Sequence, residues 1–134
     1  MKNIRIEKFK KSDCDDIIID YQISDYVKET YQKNFTYTFV VDNEIIAIFC
    51  FRIFKETNSI ECCMTVLKNI KNHTKSLLQC CKIIKNKNSF LFDDFVLFAI
   101  VSENFDKNIR FLEFFGFTKY CIINNNKQIM IFSK

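Results

Sequence analysis

Three lysines, Lys68, Lys71 and Lys75, surround the chain's one histidine, His73, within the segment KNIKNHTKS. The segment runs into Leu77, Leu78, Cys81 and Ile84, apolar residues at helical spacing, with Lys75, Lys82 and Lys85 largely off that stripe. Cations at a helix start oppose the macrodipole, so the cluster is easier to explain if an anion visits. The chemistry on offer is anion binding, by the ammonium groups at a helix N-terminus. The plainer reading is that lysine is simply the charged residue this chain uses most. His73 stands alone in a polar loop, which favours a surface or phosphate-adjacent histidine over a catalytic one.

The other reactive side chains are the seven cysteines, Cys14, Cys50, Cys62, Cys63, Cys80, Cys81 and Cys121. They are odd in number, contain no CxxC and accompany a single histidine, so neither a zinc site nor a disulfide framework fits. Buried free thiols in a reducing cytosol are expected instead. Cys62 and Cys63, adjacent on a strand, would point to opposite faces.

The elements that must position these residues follow from periodicity. NIRIEKF alternates as a half-buried strand does. Ser12 or Asp13 can cap a helix through DDIIIDY, and Ser24 opens a second helical segment in SDYVKETYQ. FTYTFVV and EIIAIFCFRIF form a hairpin about Asp42-Asn43, and a turn at Glu56-Thr57-Asn58 leads to a strand in SIECCMTVL. After the lysine-rich helix, DFVLFAIV reads as a buried strand. NFDKNIRFLEFF reads as a helix with Phe105, Ile109 and Leu112 on one face. KYCIINNNKQIMIFS closes the chain as two strands about an Asn-rich hairpin.

The 134 residues are enough for one α+β domain spanning 1–134, with a core in which 16 phenylalanines fill much of the space. The net charge of +4 is mild and spread out, and no nucleic-acid motif is present. No apolar run approaches a membrane span, and MKNIRIEKFKK lacks the apolar region of a signal peptide, giving a cytoplasmic expectation. The excess of Lys, Asn, Ile and Phe over Gly, Pro, Ala and Arg is what an AT-rich genome writes. The chain holds one glycine, Gly116, and no proline. Gly116 follows the last turn of NFDKNIRFLEFF, where a left-handed residue lets the chain leave the helix and Phe117 can touch Leu112. Asn would serve there as well.

This order of elements resembles the GNAT acetyltransferase fold over essentially the whole chain. Its most specific piece is the ending: the strand FAIVS, Asn104, an amphipathic helix, then Gly116-Phe117. The resemblance implies a twisted mixed sheet of about seven strands with about four helices. It also implies acetyl-CoA as cofactor and an amine on a small molecule or protein as acceptor. The family's pyrophosphate loop has a basic residue, then Gly, then a small residue; Lys71, Thr74 and Ser76 stand at those places. The spacing is kept and the residue types are not, so the loop is degenerate. The cofactor contacts so implied are Thr65, Val66, Lys71, Asn72, His73, Thr74, Lys75, Ser76 and Asn104. Glu61 lies near the family's general base. The usual acid tyrosine is replaced by Leu112, leaving Tyr120 as the nearest substitute in sequence. No metal is implied. The alternative is a catalytically silent module of the same fold, binding a protein partner or forming a homo-oligomer. Such a module would be similar to degenerate domains of bacteriophages, some of them virion-associated.

Overall fold

The structure, a computed structural model, describes residues 2–102, 106–123 and 127–132. Phe105, Asn104 and the Asn-rich hairpin at 124–126 lie outside the described residues. Seven strands form one mixed sheet: β1 (Ile4–Lys8), β2 (Phe35–Val41), β3 (Glu44–Phe54), β4 (Ser59–Val66), β5 (Val96–Ser102), β6 (Phe117–Ile123) and β7 (Lys127–Phe132). Their order is β1-β2-β3-β4-β5-β7-β6, with β4 and β5 parallel. The helices are α1 (Asp13–Asp16), α2 (Asp25–Lys33), α3 (Thr74–Lys87), α4 (Ser89–Asp94) and α5 (Asp106–Phe114). The chain divides into two compact units, Met1–Arg52 with Cys63–Ser89, and Ile53–Cys62 with Phe90–Lys134.

In the first unit β2 sorts its side chains by strand alternation. Thr36 and Thr38 face α1 and α2, where the Thr38 hydroxyl donates to Asp13 Oδ2 at 2.7 Å and that of Thr36 donates to the Tyr31 carbonyl. Beneath them Cys14, Ile17, Ile23 and Tyr31 pack on Ile48 and Cys50. Tyr37 and Phe39 face the other way, toward α3, which packs on β1 and β2. The inner stripe of α3 is Ser76, Leu77, Cys80, Cys81 and Ile84; it gains Ser76 and Cys80 over the predicted stripe, while Leu78 is only half-buried. Asn88 ends the helix, its side-chain amide donating to the Ile84 carbonyl at 2.9 Å.

The expected helix through DDIIIDY is a single turn. Ile17 is already extended at φ −72°, ψ 133°, and the Ile18 carbonyl accepts from Lys68 N at 2.9 Å instead of from a residue four ahead. Three consecutive β-branched residues lose side-chain freedom in a helix, and here burial of Ile17 and Ile23 rewards an extended path. By contrast α2 starts as predicted, with Ser24 Oγ accepting from Val27 N at 3.2 Å. The six-residue α4 was not anticipated, being too short to develop a period.

In the second unit Ala99, Val101, Ile109, Phe117 and Met130 form the core, with Leu112, Phe115, Phe132 and Cys62 packed against it. Cys63 joins the core around Cys14 in the first unit, so the two adjacent thiols do face opposite ways. The helix α5 ends as the sequence indicates: Gly116 N donates to the Glu113 carbonyl at 3.1 Å, and Gly116 adopts φ +110°. A Cβ at this position would lie 2.9 Å from Cε2 of Phe132. Asparagine is therefore not an equivalent, as the sequence had allowed. Elsewhere the chain does use Asp and Asn where it needs positive φ: Asp42 (50°), Asn43 (68°) and Asn58 (50°). These three lie in the left-handed basin that short polar side chains tolerate.

Candidate functional site

The residues 65, 66 and 71–76 come together in the first unit, where β4 ends and a short 3-10 turn, Ile70–His73, feeds α3. No side chain caps α3: His73 stands at the N-cap position and makes no side-chain bond to the first turn. The helix's first N–H groups therefore lack a side-chain acceptor. Thr74 has φ −57°, ψ −45°, ordinary helical values, so the missing glycine costs no backbone strain here. Its hydroxyl folds back to donate to the Lys71 carbonyl at 3.2 Å. Ser76 is buried on the inner stripe one turn before Cys80.

The cations around this helix start differ from the expected set. Lys68 is drawn to Asp20, with Nζ 3.2 Å from Oδ1. Lys71 and Lys75 are exposed, and their ammonium groups make no ion pair or hydrogen bond among the described residues. A third cation arrives from the far end of the chain: Lys2 Nζ donates to the Asn72 carbonyl at 2.8 Å and sits 3.4 Å from His73 Nδ1. His73 Nε2 lies 3.2 Å from Glu44 Oε1. The imidazole thus accepts from an ammonium on one side and donates to a carboxylate on the other, a tether from α3's start to the segment before β1 and to β3. Lys2 and Glu44 were not legible in the sequence, because these pairs span 71 and 29 positions and leave no local pattern.

Thr65 is buried, and its hydroxyl is 2.6 Å from that of Tyr31. Burial pushes the Tyr31 phenol well above its usual range, with the Thr65 bond pulling the other way. Any ligand contact at Thr65 would fall to its backbone. Val66, the last residue of β4, is half-buried.

Glu61 and Tyr120 belong to the second unit. Glu61 is half-buried, and the parallel ladder of β4 with β5 runs from Ser59↔Val96 to Glu61↔Phe98. Tyr120 is 70% exposed at an irregularity in the β6–β7 ladder between Lys119 and Cys121, and its hydroxyl makes no hydrogen bond among the described residues. Leu112, on α5, is half-buried and packs against the second unit's core. Asn104 lies outside the described residues. Among the described residues no group of three or more His, Cys, Asp or Glu side chains is placed to hold a metal.

The thiols form no disulfide and are not all buried: Cys14, Cys50, Cys80 and Cys81 are, Cys62 and Cys63 are half-buried, and Cys121 is exposed. Burial pushes Cys80 up to about 11 and Cys81 up to about 12 from 9.0. Cys14 is also raised by burial, with Lys28 opposing. Iodoacetamide on the native protein at neutral pH should label Cys121 first, with Cys80 and Cys81 labelled only after denaturation, as read by mass spectrometry. The raised values also set a pH dependence. The unfolded chain's thiols ionise near 9.0, so the stabilisation is complete below that pH and is lost as pH rises through about 11 and then about 12. Melting temperatures should therefore fall above pH 9.0, and less steeply in Cys81→Ser.

No protein-family model and no curated protein sequence matches the chain. Solved structures do match. Ard1 from Thermoplasma volcanium aligns with TM-score 0.73 over 98% of this chain and 99% of that one, at 12% identity. The IAA acetyltransferase from Bacillus cereus aligns with TM-score 0.69 over 97% and 99%, at 12% identity. A chimera of Vibrio cholerae spermidine N-acetyltransferase SpeG with hSSAT gives 0.63 over 96% and 94%, at 14% identity. The chain has the GNAT fold. At this identity the likeness carries the fold alone. Within the GNAT fold the α3 start follows β4, which is where the resemblance in sequence had located the pyrophosphate loop. No described helix is long and apolar enough to cross a membrane.

Proposed function

We propose that the protein is an acetyl-CoA-dependent N-acetyltransferase acting on an amine of a small molecule or a protein. The observation that carries this reading is the start of α3, uncapped by any side chain and flanked by unpaired Lys71 and Lys75, in a chain of the GNAT fold. Those donors suit phosphate oxygens, and the helical φ of Thr74 keeps the first turn's N–H groups regular although the glycine is gone. Lys71, Lys75 and the N–H groups of the first turn would hold the pyrophosphate, with Ser76 limited by its burial to a backbone contact. The Lys2–His73–Glu44 tether fixes the turn that presents them. Acetyl-CoA supplies, when bound, an acetyl group activated as a thioester. Glu61 would take the proton from the attacking amine, and Tyr120 is the candidate proton donor to the departing sulfur. A cytosolic location goes with this reading, since acetyl-CoA is found there. Among the fold's neighbours one is named for spermidine, which makes polyamines a reasonable first acceptor to try.

A second reading, a silent module of the same fold, is favoured by Leu112, a half-buried leucine packed against the second unit's core where the resemblance would want an acid tyrosine. A protein partner, or a virion-linked role, would belong to that reading. Release of CoA in the presence of spermidine or a peptide amine separates the two. Turnover is expected, and Glu61→Gln should lower kcat by about 10²-fold or more. Tight cofactor binding without turnover on any amine would favour the silent module.

A further inference from the structure

At the opposite end of α3 from Thr74, about 21 Å away along the helix, the first unit contains a cleft of about 490 Å³. It is built where β1 ends and β2 begins. Lys8 pairs directly with Tyr37, so both side chains share the face on which α3 lies, and Phe35 shares it by alternation. The last turn of α3 brings Lys87 Nζ to 5.9 Å from the centre of the Tyr37 ring. Lys10 and Lys11, just past β1, complete the rim.

Two features of this cleft need a cause. Four lysines, Lys8, Lys10, Lys11 and Lys87, line it with no acidic residue among the lining, and none of the four makes an ion pair or hydrogen bond through its ammonium group among the described residues. Two carboxylates close by in sequence are committed elsewhere: Asp13 Oδ2 accepts from Lys10 N and from the Thr38 hydroxyl, and Glu7 lies on the other face of β1 beside Arg5. The α3 macrodipole accounts for a cation at Lys87 but not for three more on β1 and the loop after it. The second feature is aromatic. Phe35 is 58% exposed at the head of a strand whose other apolar residues are covered, and it stands beside the half-buried Tyr37. Cations without carboxylate partners beside the exposed Phe35 ring and the half-buried Tyr37, in a cleft of ligand size, are complementary to a group that is both anionic and flat.

We propose that this cleft binds a nucleoside phosphate, with the base against Phe35 and Tyr37 and the phosphates among Lys8, Lys10, Lys11 and Lys87. The exposed Gln32 amide, also on the lining, is free to read a base edge. The site is separate from the start of α3, and it stands or falls independently of the acetyltransferase reading.

Calorimetry with ATP on the full chain tests it. Measured in the Lys71→Ala/Lys75→Ala background, which removes the phosphate donors proposed at the start of α3, ATP should still bind, and adding Lys8→Ala/Lys10→Ala/Lys11→Ala should weaken it by about tenfold or more. Phe35→Ser, a surface change, should weaken ATP several-fold while leaving inorganic triphosphate untouched; circular dichroism confirms that each variant is folded. The proposal is overturned by no binding at millimolar ATP, or by triphosphate binding as tightly as ATP. It is equally overturned if binding is lost with Lys71 and Lys75 instead. A dT oligonucleotide that binds far more tightly than ATP would also overturn it, since the face would then serve a strand and not a mononucleotide.

Discussion

Gly116→Asn and Gly116→Ala are each expected to destabilise the protein by about 2–4 kcal/mol, read from the urea midpoint. Two costs combine. The backbone stands at φ +110°, beyond the left-handed basin near +50 to +70° that an Asn side chain can tolerate. The new Cβ would also meet Cε2 of Phe132 at 2.9 Å, and Phe132 is held edge-on to Phe117 at 5.6 Å within the α5 core. Asn43→Gly and Asn58→Gly are the matched controls. At φ 68° and 50° these positions already tolerate side chains, so they should change stability by less than about 1 kcal/mol. A loss below about 1 kcal/mol for Gly116→Ala would mean that Phe132 swings aside and that the glycine is not required.

Asp13→Ala should cost about 2–3 kcal/mol. Asp13 is 6% exposed, and its Oδ2 accepts from Lys10 N at 2.9 Å and from the Thr38 hydroxyl at 2.7 Å. Removing the carboxylate leaves the Thr38 hydroxyl, 1% exposed, with no acceptor inside the sheet. Thr38→Val removes the other half of the pair. The double variant Asp13→Ala/Thr38→Val should therefore be more stable than the sum of the singles implies, by about 1 kcal/mol or more. Strict additivity would show that the two side chains do not act together. The bond also matters for position, because it pins the one-turn α1 to β2 and so fixes the path that brings Ile18 to Lys68.

How much of this was legible in the sequence depended on how local the cause was. The β2–β3 hairpin was readable because Asp42 and Asn43 tolerate positive φ and sit between two largely apolar runs. Ser24 was readable because a cap acts three residues away. The helix through IIID was misread because its end is decided by Lys68, fifty positions on, which takes the Ile18 carbonyl. The same limit applies at the start of α3. Lys71 and Lys75 were visible as a cluster, but Lys68 was counted with them although Asp20 holds it, and Lys2 and Glu44 were missed. At Gly116 the helix stop was legible and its strictness was not, because the forbidding atom belongs to Phe132 on the last strand. Thr74 shows the converse. The sequence made it look like a damaged glycine, whereas its backbone is ordinary helix and asks for none.

The central claim is that the start of α3 holds an anionic cofactor, and calorimetry with acetyl-CoA tests it most directly. The account predicts saturable binding that weakens with added salt and falls by about tenfold or more in Lys71→Ala/Lys75→Ala. Absence of binding at millimolar acetyl-CoA, or binding indifferent to both lysines, would contradict it.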